Sequence, residues 1–291
     1  MRHADLGVVR PGAPIFVTLR ERRFDVTTRA LVMGIVNRTP DSFFDRGATF
    51  ALDAALERCE QLVASGADII DVGGVKAGEG DPVGVTEELD RVVPTVEAIT
   101  ARFDVAVSVD TWRAEVAAAA FAAGASLGND ISGFADPGYL PAAAAAGAAV
   151  VATHIRLAPR VPDPDPVYEG GDVVSAVESF LLDRLERALR AGIGRESVIL
   201  DAGLDLGKRA GQSLELLRAS DRLAGLGQPL LLSASNKDFL GELLSLAVDE
   251  RREATLAAVA LGVARGCRVV RVHDVAGARR VVDLLAAVLE A

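Results

Sequence analysis

The sequence predicts an α/β protein built as a (β/α)8 TIM barrel with an N-terminal β-hairpin. Two observations carry that prediction. Eight short runs rich in Val, Ile and Leu recur along the 291 residues, and longer stretches of helical periodicity separate them. The runs are too continuously apolar to keep one face in water, which is the mark of parallel strands buried on both sides. An open, doubly wound sheet is the competing architecture, and a count that closes at eight favours the barrel.

Taken in order, residues 14–30 (PIFVTLRERRFDVTTRA) read as two short strands around Arg20 to Arg23, a hairpin placed to plug the bottom of the barrel. The eight runs then follow as ALVMGIVN, DIIDVGG, VAVSVDT, SLGNDIS, AVVATHI, SVILDAG, PLLLSAS and RVVRVHD. Helical segments such as ALDAALERCEQLVASGA and VVSAVESFLLDRLERALRAG lie between them. Gly66, Gly124, Gly147, Gly192 and Gly266 stand at helix ends, where glycine tolerates the left-handed backbone that stops a helix. The longest loop, RLAPRVPDPDPVYEGGD, follows the fifth run; Pro159, Pro162, Pro164 and Pro166 exclude helix there. No linker or low-complexity tract divides the chain. Residues 1–291 are therefore expected to form a single barrel domain, with 1–28 as N-terminal extension and hairpin.

Composition narrows the function. Hydrophobic residues make up 50% of the chain and aromatics 4%, which suits alanine-rich helices on aliphatic strands. The 31 basic and 41 acidic residues give a formal charge of −10 without a basic cluster. Such a chain is a poor partner for nucleic acid or an anionic membrane, and any phosphate must be held by a few local groups. Cys59 and Cys267 have no CxxC spacing and read as small buried thiols in a reducing compartment. The N-terminus has no apolar signal core, and the longest apolar helix is broken by Arg265, so a cytoplasmic protein is expected.

The strand ends carry the chemistry. In a barrel the active residues sit at the C-terminal ends of the strands. The runs finish at Asn37, Asp71, Asp110, Asn129 and Asp130, His154, Asp201, Ser235 to Lys237, and Arg271 and His273. One aspartate at a strand end is often only the cap of the next helix, but capping does not account for eight convergent polar ends.

These residues carry a resemblance. MGIVNRTPDSFFDRG resembles the N-x-T-P-D-S-F signature of the dihydropteroate synthase family. GADIIDVGG, VSVDTWRAEVAAAAFAAGASLGNDISG, LDAGLDLGK, SASNKDFLGELL and RVVRVHDV match the family's later motifs in order, covering nearly all the chain after about residue 28. The resemblance implies condensation of a hydroxymethyl-dihydropterin pyrophosphate with p-aminobenzoate, through an SN1-like path in which the pterin delocalises the cation. It assigns the pterin edge to Asp110, Asn129, Asp201 and Lys237, the pyrophosphate to Arg271, His273 and Asn37, and a Mg2+ ion to Asn37. Carboxylates and an amide suit a ring edge rich in N–H donors, and a Mg2+ bridging phosphate oxygens needs only one or two protein ligands. The resemblance also implies a homodimer through the last two helices, where EATLAAVALGVARG is apolar on more than one face.

The amine side departs from the family. Its E-S-T-R-P run is here Val75, Lys76, Ala77, Gly78 and Glu79; its S-R-K-S run is Ser235, Asn236, Lys237 and Asp238. Leu206 stands for the usual phenylalanine, Arg38 for a small apolar residue, and Thr153-His154-Ile155 for Met-His-Met. Each lost charge-assisted contact is worth roughly 1.5–3 kcal/mol. With Glu79 and Asp238 in place, an acceptor carboxylate is expected to be repelled, and VKAGEG is expected to be a mobile loop without an anchor. The reading is a divergent paralogue that binds 6-hydroxymethyl-7,8-dihydropterin pyrophosphate with Mg2+ and has weak or lost p-aminobenzoate transfer. The alternatives are a fully active synthase of folate biosynthesis using Lys76 and Arg38, and a non-catalytic pterin-binding protein. A pterin-binding methyltransferase barrel is disfavoured, because a methyl donor needs no pyrophosphate clamp.

Overall fold

The computed structural model describes residues 12–39, 51–78 and 80–291. Strands β1 (Phe16–Leu19) and β2 (Arg22–Asp25) pair antiparallel around Arg20, whose φ of 54° makes the turn. The barrel strands are β3 (Leu31–Asn37), β4 (Ile69–Gly73), β5 (Ala106–Asp110) and β6 (Leu127–Asp130), then β7 (Ala149–Thr153), β8 (Val198–Asp201), β9 (Leu230–Leu232) and β10 (Cys267–Val272). Neighbours run parallel and β10 closes on β3, so each of the eight apolar runs supplies one stave.

The helices are α1 (Leu52–Ala64), α2 (Val85–Arg102), α3 (Ala114–Ala122), α4 (Tyr139–Ala145), α5 (Val173–Arg190), α6 (Ala210–Arg218), α7 (Ser220–Ala224), α8 (Asp238–Leu244), α9 (Arg252–Ala264) and α10 (Val275–Glu290). Helix α5 shows why they form. Asp172 caps it by accepting from the Ser175 N–H at 2.9 Å. Val173, Val177, Leu181, Leu185 and Ala188 give one buried stripe, and Gly192, at φ 93°, ends it. The other expected stops, Gly66, Gly124, Gly147 and Gly266, also have positive φ. The proline-rich loop after β7 carries only a one-turn 3-10 segment at Glu169–Gly171.

Two apolar layers set where the site can lie. Between strands and helices runs a continuous ring of aliphatic packing. Inside the barrel, Leu31, Met33, Ile69, Leu127, Val151 and Ile199 fill the lower half, and Val17, Leu19 and Val26 of the hairpin segment close it from below, as a plug. The interior is thus apolar in its lower half, and polar side chains take over from Asp71 and Ser108, midway along β4 and β5, up to the strand ends. The register lines them up: Asn37 lies beside Gly73, Gly73 beside Asp110, Asp110 beside Asn129, and Thr153 beside Asp201. Cys59 and Cys267 are buried free thiols whose pKa burial pushes up to about 12, which leaves them unreactive. Among the described residues no helix is long and apolar enough to cross a membrane.

The outer layer is packed tightly enough to test. A methyl group added at Gly128 in β6 would sit 2.6 Å from the Tyr139 hydroxyl oxygen and 2.9 Å from the Phe121 ring. Gly128→Ala is expected to cost about 1–3 kcal/mol in urea unfolding. The Tyr139 hydroxyl is buried without a hydrogen-bond partner, so Tyr139→Phe should recover part of that loss in the double variant. Strict additivity of the two changes would contradict the packing.

Candidate functional site

Asp110, Asn129, Asp201 and Lys237, from β5, β6, β8 and the start of α8, line one cavity at the barrel mouth together with Arg271. An adjoining cleft of about 300 Å3 is lined by Asn37, Lys76, Asn236, His273 and again Asp110 and Arg271. The structure therefore brings all seven of the expected pterin- and pyrophosphate-side residues to one end of the barrel.

Arg271 organises them. Its Nε donates to Asp71 Oδ2 at 2.6 Å and its Nη2 to Asp110 Oδ2 at 2.7 Å. Asn129 Nδ2 donates to the same Asp71 oxygen at 3.2 Å, which turns the amide so that its carbonyl oxygen stays available as an acceptor. Asp71 is fully buried, and its Oδ1 has no hydrogen-bond partner. Burial pushes the Asp110 carboxyl up to about 7; Arg271 and Lys237 oppose the rise, while Asp71 and Glu88 add to it. Burial also raises Asp201, against the Gly203 N–H that it accepts at 2.8 Å and the nearby Lys237, Lys208 and Arg271. Burial disfavours the Arg271 cation, but Asp71 and Asp110 more than offset this and its pKa is raised. The result is a row of acceptors held in fixed directions, with one donor beside it: the Lys237 ammonium makes no hydrogen bond or ion pair among the described residues. Such a row suits a flat ligand edge rich in N–H groups.

The pyrophosphate side is less open than the sequence implied. Arg271 is already committed to two carboxylates. His273 is fixed by Ser235, whose Oγ lies 2.9 Å from His273 Nδ1 and accepts the His273 backbone N–H at 3.1 Å. Arg58 donates to the His273 carbonyl at 2.7 Å. Asn37 Oδ1 and Asp110 Oδ2 face each other across Gly73, where an added methyl group would lie 3.7 and 3.8 Å from them. Among the described residues no cluster of three His, Cys, Asp or Glu could hold a metal by itself.

The amine side corrects two expectations. The VKAGEG stretch after β4 is clasped at its borders by arginines from outside it, and Arg160 reaches the stretch itself at Gly80. Arg91 of α2 donates to the Gly74 carbonyl at 2.8 Å, Arg160 of the β7 loop to the Gly80 and Asp81 carbonyls, and Arg113 to Val83 at 2.7 Å. Arg113 is itself gripped by the buried Glu88. Val75 is buried, while Ala77 and Gly78 are exposed. Asp238 is not a bare acid either: Arg251 pairs with it at 2.9 Å and also donates to the Asn236 carbonyl at 2.9 Å. Asn236 adopts φ 57°, a conformation that favours asparagine, and its N–H donates to Thr255 Oγ1 at 3.1 Å. Arg38 is buried with its Nε directed at the Arg91 carbonyl, so Lys76 is the amine-side cation that lines the cleft. Leu206 lines both hollows. Glu79 and the Pro40–Phe43 part of the first motif lie outside the described residues.

Sequence reasoning named Asp71 only as a polar strand end, without a role, and missed Arg160 and Arg251. Asp71 had a signal, a charged residue within a buried strand run, but only its pairing with Arg271 gives it a role. Arg160 and Arg251 act through backbone carbonyls far along the chain, which no local pattern announces.

Comparisons with known proteins bear on the family and the fold. Residues 33–273 match the family model described as pterin binding enzyme. The Mycobacterium leprae protein named inactive dihydropteroate synthase 2 is 47% identical over 264 residues, covering 89% of this chain and 91% of its own. The Bacillus subtilis dihydropteroate synthase is 39% identical over 263 residues, covering 90% and 89%. Among solved structures, the Yersinia pestis dihydropteroate synthase in a sulfonamide drug complex superposes with a TM-score of 0.90 at 36% identity, covering 95% of this chain and 99% of that one.

The Asp110 carboxyl gives a pH test. Its folded-state pKa, about 7, lies above the ordinary 3.8, so between those values the folded state holds more protons than the unfolded one. Stability from this group is present below about pH 4 and is lost as pH rises towards 7. Asp110→Asn should flatten that fall in urea unfolding measured at steps from pH 4 to 7. An unchanged slope would place the titration elsewhere.

Proposed function

The chain belongs to the pterin-binding enzyme family, and from that premise we propose that it binds 6-hydroxymethyl-7,8-dihydropterin pyrophosphate with Mg2+ but transfers it to p-aminobenzoate weakly or not at all. It is a dihydropteroate synthase-like protein. The observation that carries the proposal is the asymmetry of the site. The acceptor row of Asp110, Asn129 and Asp201 is complete and pre-oriented, whereas Ala77, Gly78, Leu206, Asn236 and Asp238 replace the family's amine-side groups. The name of the Mycobacterium leprae relative, inactive dihydropteroate synthase 2, supports the same reading.

In this reading the carboxylates and the Asn129 carbonyl accept the ring N–H groups, and Lys237 donates to the ring's acceptor atoms. Negative charge along that edge favours a cation that delocalises into the ring. Arg271 links Asp110 and Asp71 at the border between ring and leaving group. Its remaining N–H groups and the His273 ring flank the pyrophosphate. The donor set would suit Mg2+ only as an ion brought in with the phosphates: Asn37, at the cleft, would be the residue to hold it. The ion's chemistry is to neutralise charge on the departing group.

A cytoplasmic homodimer belongs to the proposal. Two free buried thiols fit a reducing compartment, and α10 leaves Leu284, 67% exposed, and Val288, 46% exposed, one turn apart on its outer side. A second reading, an ordinary active synthase, rests on Lys76 at the cleft.

Calorimetry with the pterin pyrophosphate, with and without Mg2+, followed by a p-aminobenzoate turnover assay, separates them. We expect saturable binding, weakened about tenfold or more by Asp201→Asn, as for a lost charge-assisted contact of roughly 1.5–3 kcal/mol. Turnover should fall far below about 1 s⁻¹. Replacing the loop together with Asn236→Arg, Asp238→Ser and Leu206→Phe should raise it well beyond any single change. Turnover near 1 s⁻¹ in the unaltered protein would instead support the active synthase.

A further inference from the structure

Ala77 and Leu206 have a position shared by no other departure from the family pattern. They line the pterin-side cavity, the cleft towards His273, and a third hollow of about 190 Å3 on the β7–β8 flank. They are the partition between the three. Each is smaller than the threonine or phenylalanine of the family pattern, so the partition is thin where that pattern would make it thick.

The third hollow has its own chemistry. Ile155, Leu157, Val161 and Pro162 give it an apolar wall, and Asp163, Asp205, Arg160 and Lys208 give it charge. Its acids are engaged. Asp163 receives Arg156 Nε at 2.5 Å, and the Asp205 carboxylate accepts from Ser213 Oγ and from the Phe239 N–H, each at 3.2 Å. Its cations have no carboxylate. Lys208 Nζ donates to the carbonyls of Leu206 at 2.9 Å and His154 at 3.3 Å and lies 2.9 Å from His154 Nδ1, all neutral groups. Arg160 donates from Nη2 to two carbonyls, and its Nη1 and Nε make no hydrogen bond among the described residues. An arginine that offers two N–H-bearing nitrogens beside an apolar wall is a receptor for a carboxylate on a flat body.

We propose that this hollow is a subsite for the acidic arm of a chain-extended aromatic ligand, one longer than p-aminobenzoate, that lies against the pterin cavity with Ala77 and Leu206 as its gate and Arg160 as its anion contact. The proposal rests on the pterin-binding reading and deepens it by naming the class of second ligand. No bond needs to form for the subsite to act.

The test uses the full chain and p-aminobenzoylglutamate as probe, titrated calorimetrically with and without 6-hydroxymethylpterin present. Its diamide and p-aminobenzoate are the comparison ligands. The extended acid is expected to bind at least about tenfold more tightly than either. Arg160→Gln should remove that advantage while leaving the diamide unchanged, and Leu206→Phe should weaken the extended acid without weakening p-aminobenzoate. Because Arg160 also holds the β4 loop, equal losses for acid and diamide would show that it only props the loop, and the subsite would be refuted. Equal affinity of the unaltered protein for acid and diamide would refute it too. A chain that fails to bind 6-hydroxymethylpterin contradicts the pterin reading alone, because Arg160-dependent binding of the acid without pterin would still establish the subsite.

Discussion

The contact on which the site depends is Arg271 held between Asp71 and Asp110. It places one guanidinium and two carboxylates at the edge of an apolar barrel interior, where ions are costly to strip of water. Removing one partner leaves the others charged and desolvated, so the three stand or fall together. The contact also ties β10 to β4 and β5, and the Asn129 amide extends it to β6. Four of the eight staves thus have their upper ends set by one network. The network's geometry decides which oxygens face inward, so the acceptors of the mouth are oriented before any ligand arrives.

The amine side is held by a different kind of force. Arg91, Arg113, Arg160 and Arg251 all donate to backbone carbonyls of the loops they serve. A carbonyl is present whatever the side chain, so such clasps fix a loop's path without constraining its sequence. Gly241 shows how closely one is fitted: an added methyl group would collide with the Arg251 guanidinium. Side chains on these loops can therefore change while the loops keep their course, and a chain can exchange a threonine, an arginine and a phenylalanine for Ala77, Gly78 and Leu206 and still present a built wall.

How much of this was legible in the sequence follows from the range of each interaction. The barrel was legible because eight apolar runs and their glycine stops are local signals; Gly66 and Gly192 end helices by their own backbone freedom. Asp110, Asn129 and Asp201 were legible because a strand end in a barrel can point a polar side chain only to the mouth. The state of Arg271 was not, since residues 200 positions apart decide whether it meets carboxylates or stays open. The anchors of the β4 loop were hidden for the same reason. Arg160 reaches Gly80 across 80 positions from a proline-rich loop that reads as mere connection.

The asymmetry between the two sides then has a structural cause. Asp110, Asn129 and Asp201 are the last residues, or nearly so, of β5, β6 and β8, and barrel register fixes where they stand. Moving one of them would mean sliding a strand, and a slide of one residue turns every side chain of that strand over. Ala77, Gly78 and Leu206 lie on loops, where a substitution changes a wall and leaves the core untouched. The fold thus separates what a pterin would meet from what its partner would meet. Chemistry on the first side is set by the register of the barrel, whereas the second side can be rebuilt residue by residue; Ala77, Gly78 and Leu206 lie there, and Thr153, at the end of β7, is a departure that lines the first side.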